Sequence, residues 1–291
     1  MSVQSNAARA EATGAAVVAM LRENARTDIP HYGWRSHGSG LLAIAALVGI
    51  YIAGVAVLGI TPGRFFVGLF RLGDIIGLMW PPSPETWGKF WIYMDALGQT
   101  LAIAFLGTIV AAVFAAPLGF LAARNIVANR IVHFGARRAL DTVRSVDTLI
   151  WALIWINVVG LGPFAGLLAI ATSDVCALAK LFSEAIETAD RRPVEGIMAS
   201  GGSRAAAVRF GIVPQVLPVF ASQILYYIES NTRSATIIGI VGAGGIGVYL
   251  SEQIRVLEWS QAAFIILMVL VTVAIIDAIS RVLRKAIIGR A

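Results

Sequence analysis

The sequence predicts an all-α membrane protein of six transmembrane helices with both termini in the cytoplasm. Three observations carry that expectation: an apolar excess, six apolar runs of spanning length, and basic residues gathered in alternate connections. Of 291 residues, 58% are hydrophobic and 14% charged, and the mean hydropathy is +0.79. Soluble domains carry about 45–50% apolar and about 25% charged residues. A chain of this length could fold as one or two soluble domains, but so few charges could not clothe so much apolar surface. Lipid must therefore be part of its solvent.

A bilayer-spanning helix needs about 20 mostly apolar residues, and the runs that meet this are 40–60, 97–122, 139–160, 163–183, 216–241 and 260–282. The third and fourth are parted only by Leu161-Gly162-Pro163, a helix-stopping pair that predicts a tight hairpin. Basic residues sit before the first run (Arg9, Arg22, Arg26, Arg35) and between the second and third (Arg124, Arg130, Arg137, Arg138). They recur between the fourth and fifth (Arg191, Arg192, Arg204, Arg209) and after the sixth (Arg284, Lys285, Arg290). The Leu161 turn has none and 242–259 has only Arg255. That alternation places both termini inside.

The stretch 61–96 departs from it, with Arg64, Arg71 and Lys89 on the expected outer side. Phe66, Leu69, Phe70, Leu72, Ile76 and Met79 recur at helical spacing before Pro81-Pro82, and Trp87, Trp91 and Tyr93 follow. A short interfacial helix and an aromatic anchor fit this pattern; a seventh span would invert every later loop. Residues 1–38 hold an apolar patch, Ala15 to Leu21, closed by Arg22 and Glu23. It is too short for a signal-peptide core and reads as a cytoplasmic amphipathic helix, leaving 39–291 as the membrane domain.

Several function classes are excluded. The net charge of +6 comes from 23 basic residues scattered between apolar runs, not from the continuous basic face that nucleic acid needs. The single cysteine, Cys176, lies in an apolar run and His31, His37 and His133 form no ligand-spaced set, so neither a disulfide nor a metal or other bound cofactor is expected. A membrane-embedded enzyme would want clustered intramembrane His, Asp or Glu, which are missing. No Gly-x-x-x-x-Gly-Lys-Ser/Thr occurs, so any ATP and Mg would be used by a separate subunit.

The connection between the fourth and fifth runs, 184–214, is long for a helix-bundle link, and long loops in compact proteins usually work. It contains Glu195-Gly196-Ile197-Met198-Ala199-Ser200-Gly201-Gly202-Ser203-Arg204. Gly201-Gly202 would end one short helix and Ser203, a good N-cap, would start another. A solvated loop is the plain alternative. The loop resembles the "EAA" coupling loop of binding-protein-dependent ABC importers, where Glu is followed by Gly six residues on and Pro thirteen beyond. Glu195, Gly201 and Pro214 match, while Gly196 and Ile197 replace two alanines and Gly211 replaces an isoleucine.

Further stretches resemble one branch of those importers, the phosphonate, phosphite and phosphate-ester permeases. They are Gly98-Gln99-Thr100, Pro117 to Asn125, Gly160 to Gly166, Lys180 to Glu184 and, most specifically, Asn231 to Gly247. Together they cover roughly residues 80–285. The branch often has proline where Asp147 sits, although the preceding Arg144-Ser145 pair is kept. The resemblance implies a type I importer permease in a prokaryotic plasma membrane. It also implies a second copy of the chain, two cytoplasmic ABC ATPase subunits and an extracytoplasmic phosphonate-type binding protein. A methionine-type permease and an ion-driven secondary anion transporter are the rivals; the latter would be expected to show internal repeats, and none is clear.

Gly242, Gly244, Gly245 and Gly247 imitate a dinucleotide-binding turn, which needs a strand before it. At the end of a span they suit close helix approach or a re-entrant turn at an outer mouth. Arg233 lies in an apolar run, and a charge there costs at least about 2.5–3.5 kcal/mol unless it faces protein or water. Glu229, one turn earlier, offers an i,i+4 structural pair. Alternatively Arg233, with Glu229, Ser230, Asn231 and Ser234, lines an anion pathway, since guanidinium and hydroxyl donors suit phosphorus oxyanions. Arg144 and Ser145 are a second candidate, with Asp141 and Asp147 flanking Arg144 as possible local partners. Lys180 is expected to reach the inner surface, and Asp174 has no evident role.

Overall fold

The computed structural model describes residues 34–59, 61–127 and 130–289, and their regular structure is helical. The predicted amphipathic helix of residues 1–38 falls almost wholly outside them, as does Arg290. Contacts divide the chain at Leu72 into two units. The first holds α1 (Trp34–Val57) and most of α2 (Pro62–Leu78). Residues 40–57 of α1 are apolar and none is buried, as expected of a helix whose solvent is lipid. The short helix predicted between Arg64 and Trp80 is present as α2, and Arg64 Nη1 donates to the Gly59 carbonyl at 3.3 Å.

The second unit contains α3 (Trp87–Ala122), α4 (Arg130–Arg144), α5 (Thr148–Val159), α6 (Pro163–Thr188) and α7 (Arg192–Ala199). A single turn, α8 (Arg204–Ala206), then runs through a π-helical segment (Ala207–Ile212) into α9 (Val213–Ile240), followed by α10 (Ile246–Arg255) and α11 (Trp259–Ile288). Among the described residues, five helices are long and apolar enough to cross a membrane: α1, α3, α6, the Arg204–Ile240 rod and α11. The run 139–160, expected as one span, is instead two helices meeting at 83°, and only together could they make a sixth. The physical reason lies at the junction. Helix α4 ends at Arg144, and Asp147 accepts the Leu149 N–H at 2.8 Å, capping a new helix. At 1.5 Å per residue α5 is only about 18 Å long.

The 36-residue α3 begins at Trp87, so the aromatic residues expected before a span at 97 form its first turns. Tyr93 is buried and donates to Gln261 Oε1 on α11 at 2.8 Å. Beyond it, Ala96 and Thr100 pack toward Ile246 and the glycine turn, and Ile103, Ala104, Gly107, Thr108, Ala111, Ala115 and Gly119 continue a buried stripe of mostly small residues on the helix that packs most extensively on α6. A Cβ at Gly107 would lie 2.9 Å from Ile170 Cγ2, and one at Gly119 2.8 Å from Phe182 Cβ. Small residues let backbones close to this distance, which is how helices associate when lipid removes the hydrophobic drive between them. Helix α9 packs on both, with Phe220 stacked on Phe182 at 3.9 Å.

The α5–α6 hairpin turns where Gly-Pro predicts, with Gly160 at φ 90° and Gly162 at φ 137° before Pro163. The predicted loop 184–214 is narrower in the structure, because α6 continues to Thr188 and helix resumes at Arg204.

Candidate functional site

The hairpin after α6 is built by its local sequence. Glu195 lies in the first turn of α7 and is exposed; no residue of α7 is fully buried. The helix ends at Ala199, where the Ser200 hydroxyl donates to the Ile197 carbonyl at 2.9 Å. Gly201 takes φ 84°, which favours glycine, and the Gly202 N–H returns to Ile197 O at 2.9 Å. Ser203 then caps the next helix, accepting from the Ala206 N–H at 3.2 Å, and Arg204 stands exposed beside it. The helix–turn–helix predicted from Gly201-Gly202-Ser203 is therefore present. An open pocket of about 520 Å³, lined by Arg124, Asn125, Val194, Met198, Arg204 and Val208 among others, lies beside α7.

Sequence reasoning missed the anchor next to this hairpin. Glu187, in the last turn of α6, accepts from both sides: from the Arg124 N–H at 2.8 Å and from Arg137 Nη2 at 3.2 Å. Asn125 Nδ2 donates to Ile186 O at 2.8 Å. The end of α3 and the middle of α4 are thus tied to the foot of α6. The available signal was an acid in an inner-face loop that holds several acids and arginines, which names no partner.

In α9 the predicted pathway residues separate. Tyr226, Arg233, Ile237 and Ile240 form an exposed stripe with half-buried Ser230 within it, and Ser234 adjoins Arg233. Asn231 is on the opposite face, buried against α3 and α6, where it donates to Thr108 Oγ1 at 2.8 Å and to Asp174 Oδ2. Asn231 therefore does not accompany Arg233, and Asp174 acquires a partner.

The expected Glu229–Arg233 pair is also replaced. Glu229 binds Arg284 of α11, and Arg233 Nη1 lies 3.6 Å from Asp277 Oδ1 of the same helix. The reason is geometric: α11 runs beside α9 and offers opposite charges across the groove, where a bond along one helix would leave them orphaned. The Arg233 contact is long, without a hydrogen bond, and its side chain remains 47% exposed. Asp277 carried a signal of its own, an acid inside an apolar run.

The second candidate, Arg144-Ser145, sits at the α4–α5 break. Both are exposed, and the Ser145 hydroxyl donates to Thr142 O at 2.7 Å. The local partners expected for Arg144 are engaged elsewhere, Asp147 as the cap of α5 and Asp141 with Lys180 Nζ at 2.6 Å. Lys180 is thus paired between α4 and α6 rather than reaching for the surface.

The glycine turn between α9 and α10 is a packed junction. Gly244, Gly245 and Gly247 are buried, with Gly242, Gly244 and Gly245 at φ 102°, 86° and 74°. Gly242 O accepts from the Gly162 N–H at 3.0 Å, and the Ile246 N–H donates to Thr100 Oγ1 at 2.8 Å. The turn thereby touches the α5–α6 hairpin and α3 at once. Among the described residues, no group of three or more His, Cys, Asp or Glu could hold a metal ion.

Comparison with known proteins bears on most of the chain. Residues 115–289 match the family model described as binding-protein-dependent transport system inner membrane component. The putative phosphite transport system permease protein HtxC of Stutzerimonas stutzeri is 38% identical over 221 residues, 76% of this chain and 77% of that one. The phosphite transport system permease protein PtxC of the same organism is 35% identical over 253 residues, 87% of this chain and 90% of that one. Among solved structures, the inward-facing MetNI methionine ABC transporter superposes with a TM-score of 0.62 at 18% identity, covering 69% of this chain and 99% of the other. At that identity the likeness concerns the fold.

Proposed function

Because this chain belongs to the binding-protein-dependent transport system inner membrane component family, a bacterial multi-pass permease group, we propose that it moves a phosphonate-type phosphorus oxyanion into the cytoplasm. The observation that carries the substrate class is the match over 87% of the chain to a permease named for phosphite. The exposed Arg233 of α9, with Ser230 and Ser234 beside it, agrees with it. An interior-negative membrane opposes uptake of an anion by about 2.3 kcal/mol per charge per 100 mV, and twice that for a dianion. Scarce oxyanions therefore need coupled energy.

In this reading the chain spans the bilayer six times, α4 and α5 together making one span, with both termini in the cytoplasm and 39–291 as the membrane domain. Two copies form the pathway. Two cytoplasmic ATPase subunits use ATP and Mg and receive the α7 hairpin, with Glu195 to Arg204 as the contact. An extracytoplasmic binding protein docks near the Gly242–Gly247 junction and selects the ligand. Arg233, Ser230 and Ser234 line the path, and Arg144 and Ser145 are its second polar station. Asn231 acts from behind, holding α9 to α3 and α6. Glu229 is fully committed to Arg284. Asp277 is the resting counter-ion of Arg233: its loose contact tempers the guanidinium, so that an oxyanion can displace it and then leave. Conduction needs contacts weak enough to release.

The test is ATP hydrolysis by the reconstituted complex with its binding protein, offered phosphite, phosphate, methylphosphonate, aminoethylphosphonate and methionine in turn. Stimulation by a phosphorus oxyanion is expected. Stimulation by methionine alone, or uptake driven by an ion gradient without ATP, would overturn the proposal.

A further inference from the structure

The α7 hairpin can drive the membrane helices only if something other than its two turns joins it to them. Its C-terminal turn is the Gly201-Gly202 pair, and its N-terminal link is the short stretch Ala189–Arg191. Neither is stiff. Between α7 and the rod, Val194 rests on Gly211, where an added Cβ would come within 3.0 Å of Val194 Cγ2. That contact is apolar.

One side chain supplies what is missing. The carboxamide of Gln215, in the first turn of α9, reaches Asp190 twice: its Oε1 accepts the Asp190 N–H at 2.9 Å, and its Nε2 donates to the Asp190 carbonyl at 3.1 Å. The same Nε2 donates to the Gly211 carbonyl at 2.5 Å. Asp190 in turn accepts the N–H of Arg192, the first residue of α7, on its Oδ1 at 3.0 Å. A continuous line of hydrogen bonds therefore runs from the start of α7 through Asp190 and Gln215 to the π-helical segment. The segment Ala207–Ile212, which this line of bonds reaches, has opened to a π-turn, a form often found at functional sites.

We infer that Gln215 is a positioning residue for transport, clamping the foot of α7 to α9 so that a push on the hairpin moves the helix bearing Arg233. Arg233 lies eighteen residues further along, about 27 Å at helical rise. The geometry is specific to glutamine. Glutamate keeps the length but turns an acceptor toward two carbonyls, and alanine removes all three bonds. The coupling part of this inference rests on the transport reading above; the clamp itself does not.

Two measurements on Gln215→Ala and Gln215→Glu separate these parts. The first is amide hydrogen exchange over residues 190–199 of the full-length permease in nanodiscs. Exchange is expected to rise about tenfold in both variants, the factor for about 1.4 kcal/mol of lost hydrogen bonding, while α3 and α6 remain protected. The second is phosphite transported per ATP hydrolysed by the complete complex, expected to fall about tenfold while hydrolysis persists. Unchanged exchange would overturn the clamp. Raised exchange with a wild-type transport ratio would overturn the coupling role. A wild-type complex that responds to none of phosphite, phosphate, methylphosphonate and aminoethylphosphonate would remove the transport reading and the coupling role with it, while exchange still decides the clamp.

Discussion

Adding a single methyl group at Gly247 probes the junction between α9 and α10. A Cβ at this position would lie 2.1 Å from the Thr236 carbonyl oxygen, 2.8 Å from Gly239 Cα and 2.9 Å from Gly239 C. Ordinary contact begins near 3.4 Å, so the two helices would have to part by about 1.3 Å. Every atom met is backbone, and no side chain can swing aside. The expected cost is at the upper end of the roughly 1–3 kcal/mol range for overpacking. Helix propensity pulls the other way, since alanine is favoured over glycine by about 1 kcal/mol. A net loss of about 2 kcal/mol, at about 2–4 °C per kcal/mol for a domain of this size, lowers Tm by roughly 4–8 °C. Gly98, helical with nothing within 4 Å of its added Cβ, is the control: Gly98→Ala keeps or raises Tm. Melting in nanodiscs by tryptophan fluorescence reads both. A Gly247→Ala protein that melts at or above wild type would refute the close approach, and with it the view that this glycine is needed for packing.

The charge assignment on α9 and α11 is tested by Arg233→Ala, Asp277→Ala and the double variant. Arg233→Ala is expected to cut phosphite transport at least tenfold with or without Asp277, whereas Asp277→Ala alone slows release and lowers the apparent KM; wild-type transport by the double variant would make the pair purely structural. Asn231→Leu removes the donor to buried Asp174 and Thr108 and should cost about 1–3 kcal/mol. Adding Asp174→Leu should recover part of that loss in the same melting assay, and a strictly additive loss would show that the two side chains do not depend on each other.

What the sequence determined by itself are the features that local chemistry settles. Apolar content and run length name lipid as the solvent and locate the long helices, although α3 begins ten residues before the run expected at 97. Gly162-Pro163 places a hairpin, because a proline preceded by glycine cannot continue a helix. Gly201, Gly202 and Ser203 likewise predict the turn and cap of the inner-face hairpin. Their effects are confined to the backbone of their own neighbourhood. The stretch Asn231 to Gly247 was specific enough to point to the branch that includes the phosphite permeases.

Tertiary structure alone decided which side chains meet. Arg233 had a partner within reach on its own helix, yet α11 supplies Asp277 to it and Arg284 to Glu229. Asn231 belongs with Asp174 and Thr108, 57 and 123 residues away. Asp147 stood as a possible partner for Arg144 and is instead the cap of the helix that follows the 83° break. Gln215 drew no notice, because nothing in a glutamine after a proline says that it will hold the backbone of Asp190. Each of these pairings depends on the rotation and offset of one helix against another. Those two quantities are set by the packing of small residues along α3, α6 and α9, not by any period that a single helix carries in its own sequence.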